Sequence, residues 1–236
     1  MQGPLTGLLV VELGDRISAA ACGSLLAQLG AEVILVETPR SGTDHKWRNR
    51  AVCAAGKRSV CINLRDPRGR DLVLEMAKQF DVVAENSKAG SMARLGLGYE
   101  DVAAAAPRAI YVSVSGFGNL HDTPYGSQPA FAPVVEAMSG IYEMKRAEGG
   151  RPSVAPVGAL GDIGAALFAT IGILAALRHR ERTGMGQQVD IGMLDTSVAW
   201  LANQGMNHLA PGENPTRLGN QHPNIVPYQV FATADG

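Results

Sequence analysis

Three cysteines in 236 residues, Cys22, Cys53 and Cys61, form no CxxC pair and share no metal-ligand spacing with histidine. That excludes a disulfide scaffold and a structural zinc module, and it favours a reducing compartment. Such cysteines read as small apolar core groups. Excess charge is equally lacking: 21 Lys and Arg stand against 22 Asp and Glu, dispersed without a basic block, so no phosphate-tracking nucleic-acid surface is written. A secretory leader is missing too, since MQGPLTGLLVVELGD has no basic stretch before an apolar one. The apolar run Ile163 to Leu177 falls short of the roughly 20 helical residues that cross a bilayer. These absences point to a soluble cytoplasmic protein, and 46% hydrophobic residues suffice for a substantial core.

What is present alternates between strand and helix. LLVVEL (8–13) has strand length, the Ala-rich ISAAACGSLLAQLG (17–30) ends on glycine as helices do, and AEVILVE (31–37) is a second strand. Strand, helix and strand within so short a span make a βαβ unit with parallel pairing. RSVCINL (58–64), DVVAEN (81–86) and AIYVSVSGFG (109–118) read as further strands, with helices over 67–80, opened by Pro67, and 99–107, stopped by Pro107. Residues 1–120 therefore form a doubly wound α/β domain. From 121 to 156 the composition turns to Pro, Gly and polar residues, with one helical stretch over 130–144, as in a linker or active-site segment. Residues 157–210 hold a helix from 163 to a Gly184 cap, a strand over 187–193 and a helix over 194–210. Residues 211–236 form a loop leading into a strand that has no partner, which suggests a fragment.

Glu37 closes the opening βαβ unit where dinucleotide-binding folds hold a ribose. The phosphate loop is not there: GDRISAAACG replaces G-x-G-x-x-G, so NAD and FAD are excluded. The chemistry instead centres on PVGALGDIGAALFATIGILAAL (156–177), where Asp162 is the lone carboxylate before an apolar run. Read as structure, Asp162 is the N-cap of a helix beginning near Ile163. Read as chemistry, a carboxylate held ionised at a helix N-terminus is a nucleophile, and Gly158, Gly161, Gly164 and Ala165 leave room for a bulky partner.

AQLGAEVILVETP (27–39), GKRSVCINL (56–64), DVVAENSKAGSMARLGLGYEDV (81–102), PRAIYVSVSGFG (107–118), EAMSG (136–140), GDIGAA (161–166), RERTGMGQQVDIGMLD (180–195) and RLGNQHPNIVPYQVFATADG (217–236) stand in one order. Together they resemble the family III CoA-transferases, the CaiB/BaiF family, which includes formyl-CoA transferase and the α-methylacyl-CoA racemases. The resemblance covers nearly the whole chain. It implies a Rossmann-like large domain that binds CoA, a second, smaller domain truncated here, and an interlaced homodimer. It also implies that Asp162 is the catalytic aspartate: the carboxylate attacks an acyl-CoA to give an anhydride, then carries CoA as an aspartyl thioester. Coenzyme A is a substrate rather than a permanent cofactor, and the exchange needs neither ATP nor metal. SGFG (115–118) and GNQHP (219–223) could donate to the oxyanions, or be plain turns.

By the same resemblance Ile17, Ser18, Thr38, Ile62, Asn63, Leu64, Arg65, Asn86, Ser87, Lys88 and Arg94 match positions around CoA, where a diphosphate and a 3′-phosphate call for cations and amide donors. Thr38 follows Glu37 where the family often has Arg, with Arg40 two further on, and Ala19-Ala20 replaces a Gly-Pro pair. Phe131 stands where the racemase branch has its histidine, and His121 lies ten residues too early to replace it. Transferase is thus favoured over racemase, with an inactive CoA-binding module as the non-enzymatic alternative. The acids exchanged are not named by the sequence, although succinate fits family habit.

Overall fold

The computed structural model describes residues 3–14, 16–39, 54–120, 122–126, 128–144, 158–212, 214, 219–222 and 224–235. Its strands are β1 (Leu9–Glu12), β2 (Glu32–Glu37), β3 (Lys57–Cys61), β4 (Val82–Glu85), β5 (Ile110–Ser115) and β6 (Gln188–Gly192), in the order β3-β2-β1-β4-β5-β6. Every pairing is parallel, with Val10 opposite Val33 and Val82, Val82 opposite Ile110, and Val112 opposite Val189. The α/β fold is the one the sequence pattern predicts. Strands β4 and β5 are buried along their whole length because helices cover both faces.

On one face lie α1 (Ile17–Gln28) and α7 (Leu160–Thr183); on the other lie α2 (Pro67–Ala77), the short α3 (Ser91–Arg94) and α4 (Tyr99–Ala105). The buried stripe of α7 is made of Gly161, Gly164, Ala165, Ala166, Ala169, Thr170, Ile173 and Ala176. Residues this small bring its backbone close to α1, which answers with Ser18, Ala19, Cys22, Gly23 and Leu26. Helix α7 closes on Gly184 at φ 78°, with Arg180 and Arg182 in its last turn, as expected; Arg180 also pairs with Asp81 at 2.7 Å.

Four expectations change. The helix expected over 130–144 is two, α5 (Ala132–Ser139) and α6 (Ile141–Met144), because Gly140 takes φ 90° between them. The helix expected over 194–210 divides into α8 (Met193–Ala199) and α9 (Ala202–Leu209), turning where Trp200 lies against Gly164. The described residues from 219 to 235 contain no strand: Val230 and Phe231 are exposed, with no ladder partner and no face to bury. Finally, α7 starts at Leu160 and runs for 24 residues, so it is long and apolar enough to cross a membrane by length and composition. The length argument against a membrane span therefore fails, although in this fold α7 packs on the sheet and α1. Its outer face leaves Ile163, Leu167, Phe168, Ile171 and Leu174 exposed.

Candidate active site

Sheet order reverses between β1 and β4, and in open parallel sheets ligands lie beyond the C-terminal strand ends at such a point. A cleft of about 920 Å³ opens there, walled by the ends of β1 to β5, the start of α1, Gly126, the 128–131 segment and the first turn of α7. Of the residues singled out in the sequence, Ile17, Ser18, Thr38, Asn63, Leu64, Arg65, Asn86, Ser87, Lys88, Phe131 and Asp162 line it. Ile62 does not, being buried in the core between the sheet, α2 and α4. Arg94 also stands off the cleft, donating to Ser91 Oγ at 2.9 Å within α3. Gly116 and Phe117 of the SGFG turn are in the wall, whereas Gly219 to His222 are not. Arg40, His121 and Pro223 lie outside the described residues.

Asp162 is not an N-cap. Helix α7 begins two residues before it, and Ala159 occupies the cap with φ 49° and no side-chain cap bond. The Asp162 carboxylate instead accepts from both the backbone N–H and the hydroxyl of Ser18 in the first turn of α1. It therefore caps a helix other than its own and still meets the positive end of a helix dipole. Asn86 Nδ2 donates to Ser18 Oγ at 3.0 Å, which orients the hydroxyl toward Asp162 and ties the end of β4 to the carboxylate. Burial raises the Asp162 carboxyl above the usual range and the charge of Glu136 adds to the rise, while Arg16 and the Ser18 bonds oppose it.

Arg16 and Glu136 were not singled out in the sequence. The Arg16 guanidinium lies 5.3 Å from the centroid of the Phe131 ring, so cation and ring share the wall nearest Asp162. Beneath the cleft, Lys57 donates to Glu12 Oε2 and to the Ala20 carbonyl, both at 2.7 Å, with the two side chains at most 1% exposed. Burial pushes the Glu12 carboxyl up to about 7 against the pull of Lys57. Only glycine fits above this pair, since a Cβ on Gly23 would lie 2.1 Å from Glu12 Oε2. The SGFG turn is shaped by Asp190, which accepts from Ser113 Oγ at 2.8 Å, Asn119 N–H at 2.6 Å and Leu120 N–H at 3.0 Å. Burial works against ionisation of Asp190, yet these donors together hold its carboxyl below the usual range.

Residues 5–236 match CoA-transferase family III. The chain belongs to that family. Among curated relatives of this CoA-transferase family III chain, the succinate–glutarate CoA-transferase of Agrobacterium fabrum is 39% identical over 99% of the chain, and the acetyl-CoA:oxalate CoA-transferase of Acetobacter aceti is 37% identical over 99%. The chain spans 62% of the length of each. A crystal structure of a CaiB/BaiF family protein from Brucella suis superposes with a TM-score of 0.89 and 38% identity, covering 100% of this chain and 65% of that one. The family resemblance and the α/β fold read from the sequence are both borne out.

Proposed function

We propose that the protein transfers CoA from an acyl-CoA donor to a carboxylic acid acceptor through covalent intermediates on Asp162. The observation that carries this reading is the placement of Asp162 in the cleft: its carboxylate takes two donors from Ser18 and faces the same space as Arg65 and Lys88. An Asp162 oxygen attacks the thioester carbonyl, the C–S bond breaks, and CoA leaves as thiolate from a mixed anhydride. The thiolate attacks the aspartyl carbonyl, expelling the donor acid as carboxylate and leaving CoA as a thioester on Asp162. The acceptor carboxylate then attacks that thioester and releases thiolate again. Attack of the thiolate on the acceptor acyl carbon of the second anhydride gives the new acyl-CoA and restores the Asp162 carboxylate. Each step exchanges one activated acyl group for another, so no ATP enters.

The same reading places CoA along Ile17, Thr38, Asn63, Leu64, Arg65, Asn86, Ser87 and Lys88, with Phe131 beside the acyl group. The relatives named above act on succinate, glutarate and oxalate, and we extend dicarboxylic acids to this chain as its substrate class. Arg16 supplies a cation close to Asp162 for such an acid. Phe131 in place of a base speaks against racemisation, which needs a proton acceptor opposite the carboxylate. A homodimer and a second, smaller domain complete the proposal, supported by the exposed apolar outer face of α7.

The test is peptide mass spectrometry after incubation with succinyl-CoA and quenching with hydroxylamine or borohydride. Modification confined to the Asp162 peptide and lost in Asp162→Ala is the expected result. A protein that is stabilised by CoA but never modified would be a binding module instead.

A further inference from the structure

The first N–H groups of a helix need acceptors that the helix cannot provide. Ala159, the N-cap of α7, offers no side-chain cap bond and holds a left-handed backbone that only surrounding contacts can maintain. The acceptor comes from another helix: Glu136 Oε1 on α5 receives the Gly161 N–H at 2.8 Å. The second oxygen of Glu136 receives the Tyr142 hydroxyl from α6. Glu136 is 1% exposed, so a carboxylate with both oxygens committed faces the positive end of α7. The backbones meet closely at this point, because a Cβ on Gly161 would lie 3.0 Å from Val135 Cγ2 and 3.5 Å from Ala132 Cα. Asp162 is the next residue, and its carboxylate reaches in the other direction, to Ser18.

We propose that Glu136 is a positioning residue for Asp162: by capping α7 from α5 it fixes the turn that aims the Asp162 carboxylate at the first turn of α1. This rests on the nucleophilic role proposed for Asp162. The arrangement crosses two helices and two acids, each acid serving the helix that the other does not. It also gives Glu136 a second effect. Among the described residues, the charged groups acting on Asp162 are Glu136 from α5 and Arg16 at the start of α1; Ser18 contributes neutral donors, and Tyr142 reaches only Glu136. Glu136 thus keeps Asp162 more basic than Arg16 and Ser18 alone would leave it, and a more basic carboxylate is a better nucleophile once ionised.

Two variants separate position from charge. Glu136→Gln keeps an acceptor for the Gly161 N–H and removes the charge; Glu136→Ala removes both. In the full chain labelled with carboxyl-13C aspartate, the Asp162 resonance is assigned by its loss in Asp162→Asn. Its titration midpoint is expected to fall in Glu136→Gln. With succinyl-CoA and glutarate, kcat of Glu136→Ala is expected to drop about ten-fold or more while KM for the thioester stays within about three-fold. Glu136→Gln is expected to keep over about a third of kcat at pH 8, with the acidic limb of its pH profile moved to lower pH. Tyr142→Phe, which spares the Gly161 contact, is expected to stay within about three-fold of the parent. An unmoved Asp162 titration in Glu136→Gln, a parental kcat in Glu136→Ala, or an equal loss in Tyr142→Phe would each overturn the assignment. The titration needs no turnover, so a shifted midpoint without covalent trapping would remove the nucleophile and leave the contact with Glu136 standing.

Discussion

Replacing Lys57 by Met tests the buried pair beneath the cleft. The substitution keeps most of the side-chain volume and removes two donors, to Glu12 Oε2 and to the Ala20 carbonyl, each made at 2.7 Å. Glu12 is fully buried and, among the described residues, its Oε1 has no hydrogen-bond partner, so the variant strips the carboxyl of the donor that Lys57 gives it. Breaking a buried ion pair from one side costs about 3–5 kcal/mol. The loss depends on pH with a definite sign. Burial has already raised the parent Glu12 carboxyl to about 7, and without Lys57 it rises further, so the folded variant holds a proton that the unfolded chain gives up above the ordinary glutamate range. Stability of Lys57→Met therefore falls as pH rises from about 4.5 through neutrality, and its deficit against the parent is larger at pH 8 than at pH 5. Urea unfolding at both pH values measures this, with Lys57→Met/Glu12→Leu as the companion that removes the stranded carboxyl and recovers much of the loss. A deficit equal at the two pH values, or a double variant no better than Lys57→Met, would refute the argument.

Two further outcomes follow from neighbouring groups. Ser18→Ala takes a donor from Asp162 and the acceptor from Asn86 Nδ2; at about 1.5–3 kcal/mol for a bond to a charged group, kcat should fall roughly 10- to 100-fold, and the acidic limb should move to higher pH, opposite to Glu136→Gln. Glu85, pushed up to about 7 by burial against the opposing Ser87 N–H bond, makes the folded chain lose stability as pH climbs from about 4.5 to 7, worth roughly 3 kcal/mol in all. Glu85→Gln should flatten that slope in thermal unfolding at pH 5 and 7, and an unchanged slope would count against it.

The alternation of strand-length runs with Ala-rich and Pro-opened stretches was enough to lay out β1 to β6 and most helices, and β4 and β5, buried on both faces, are the clearest because such parallel strands read as apolar segments. Gly184 as a helix end was equally legible, since the left-handed cap is a local property of one residue. The break at Trp200 was not, because it depends on the contact with Gly164 as much as on propensity, and the one at Gly140 was missed although its left-handed cap is local, because the apolar pattern runs on past it into Ile141 and Tyr142. At the site, Asp162 stood out as the single acid in an apolar run, whereas its acceptor role toward Ser18 joins distant parts of the chain and no local pattern encodes it. Glu136 opens EAMSG, one of the stretches that carry the family resemblance, but nothing local in its apolar helix tells that its carboxylate reaches Gly161. Arg16 adjoins the matched positions Ile17 and Ser18, and that adjacency was the available clue. Ile62 and Arg94 show the converse: a position just past a strand end can point into the core, and one at the end of a short helix can turn back along it.

The bond from Asp162 to Ser18 also sets an order of assembly. Strands β1 to β5 and the rim holding Arg65 and Lys88 lie in the first 115 residues, but the carboxylate arrives only with α7, and the last strand of the sheet after that. A chain growing from the ribosome completes the floor of its cleft before it possesses Asp162. Closing so long a loop belongs to the slow, non-local part of folding. The two crossed helix caps then act as a latch: until α7 has settled against α1 and α5 together, Asp162 lacks its Ser18 donors and Gly161 its Glu136 acceptor, so the geometry of the cleft comes only with the completed fold.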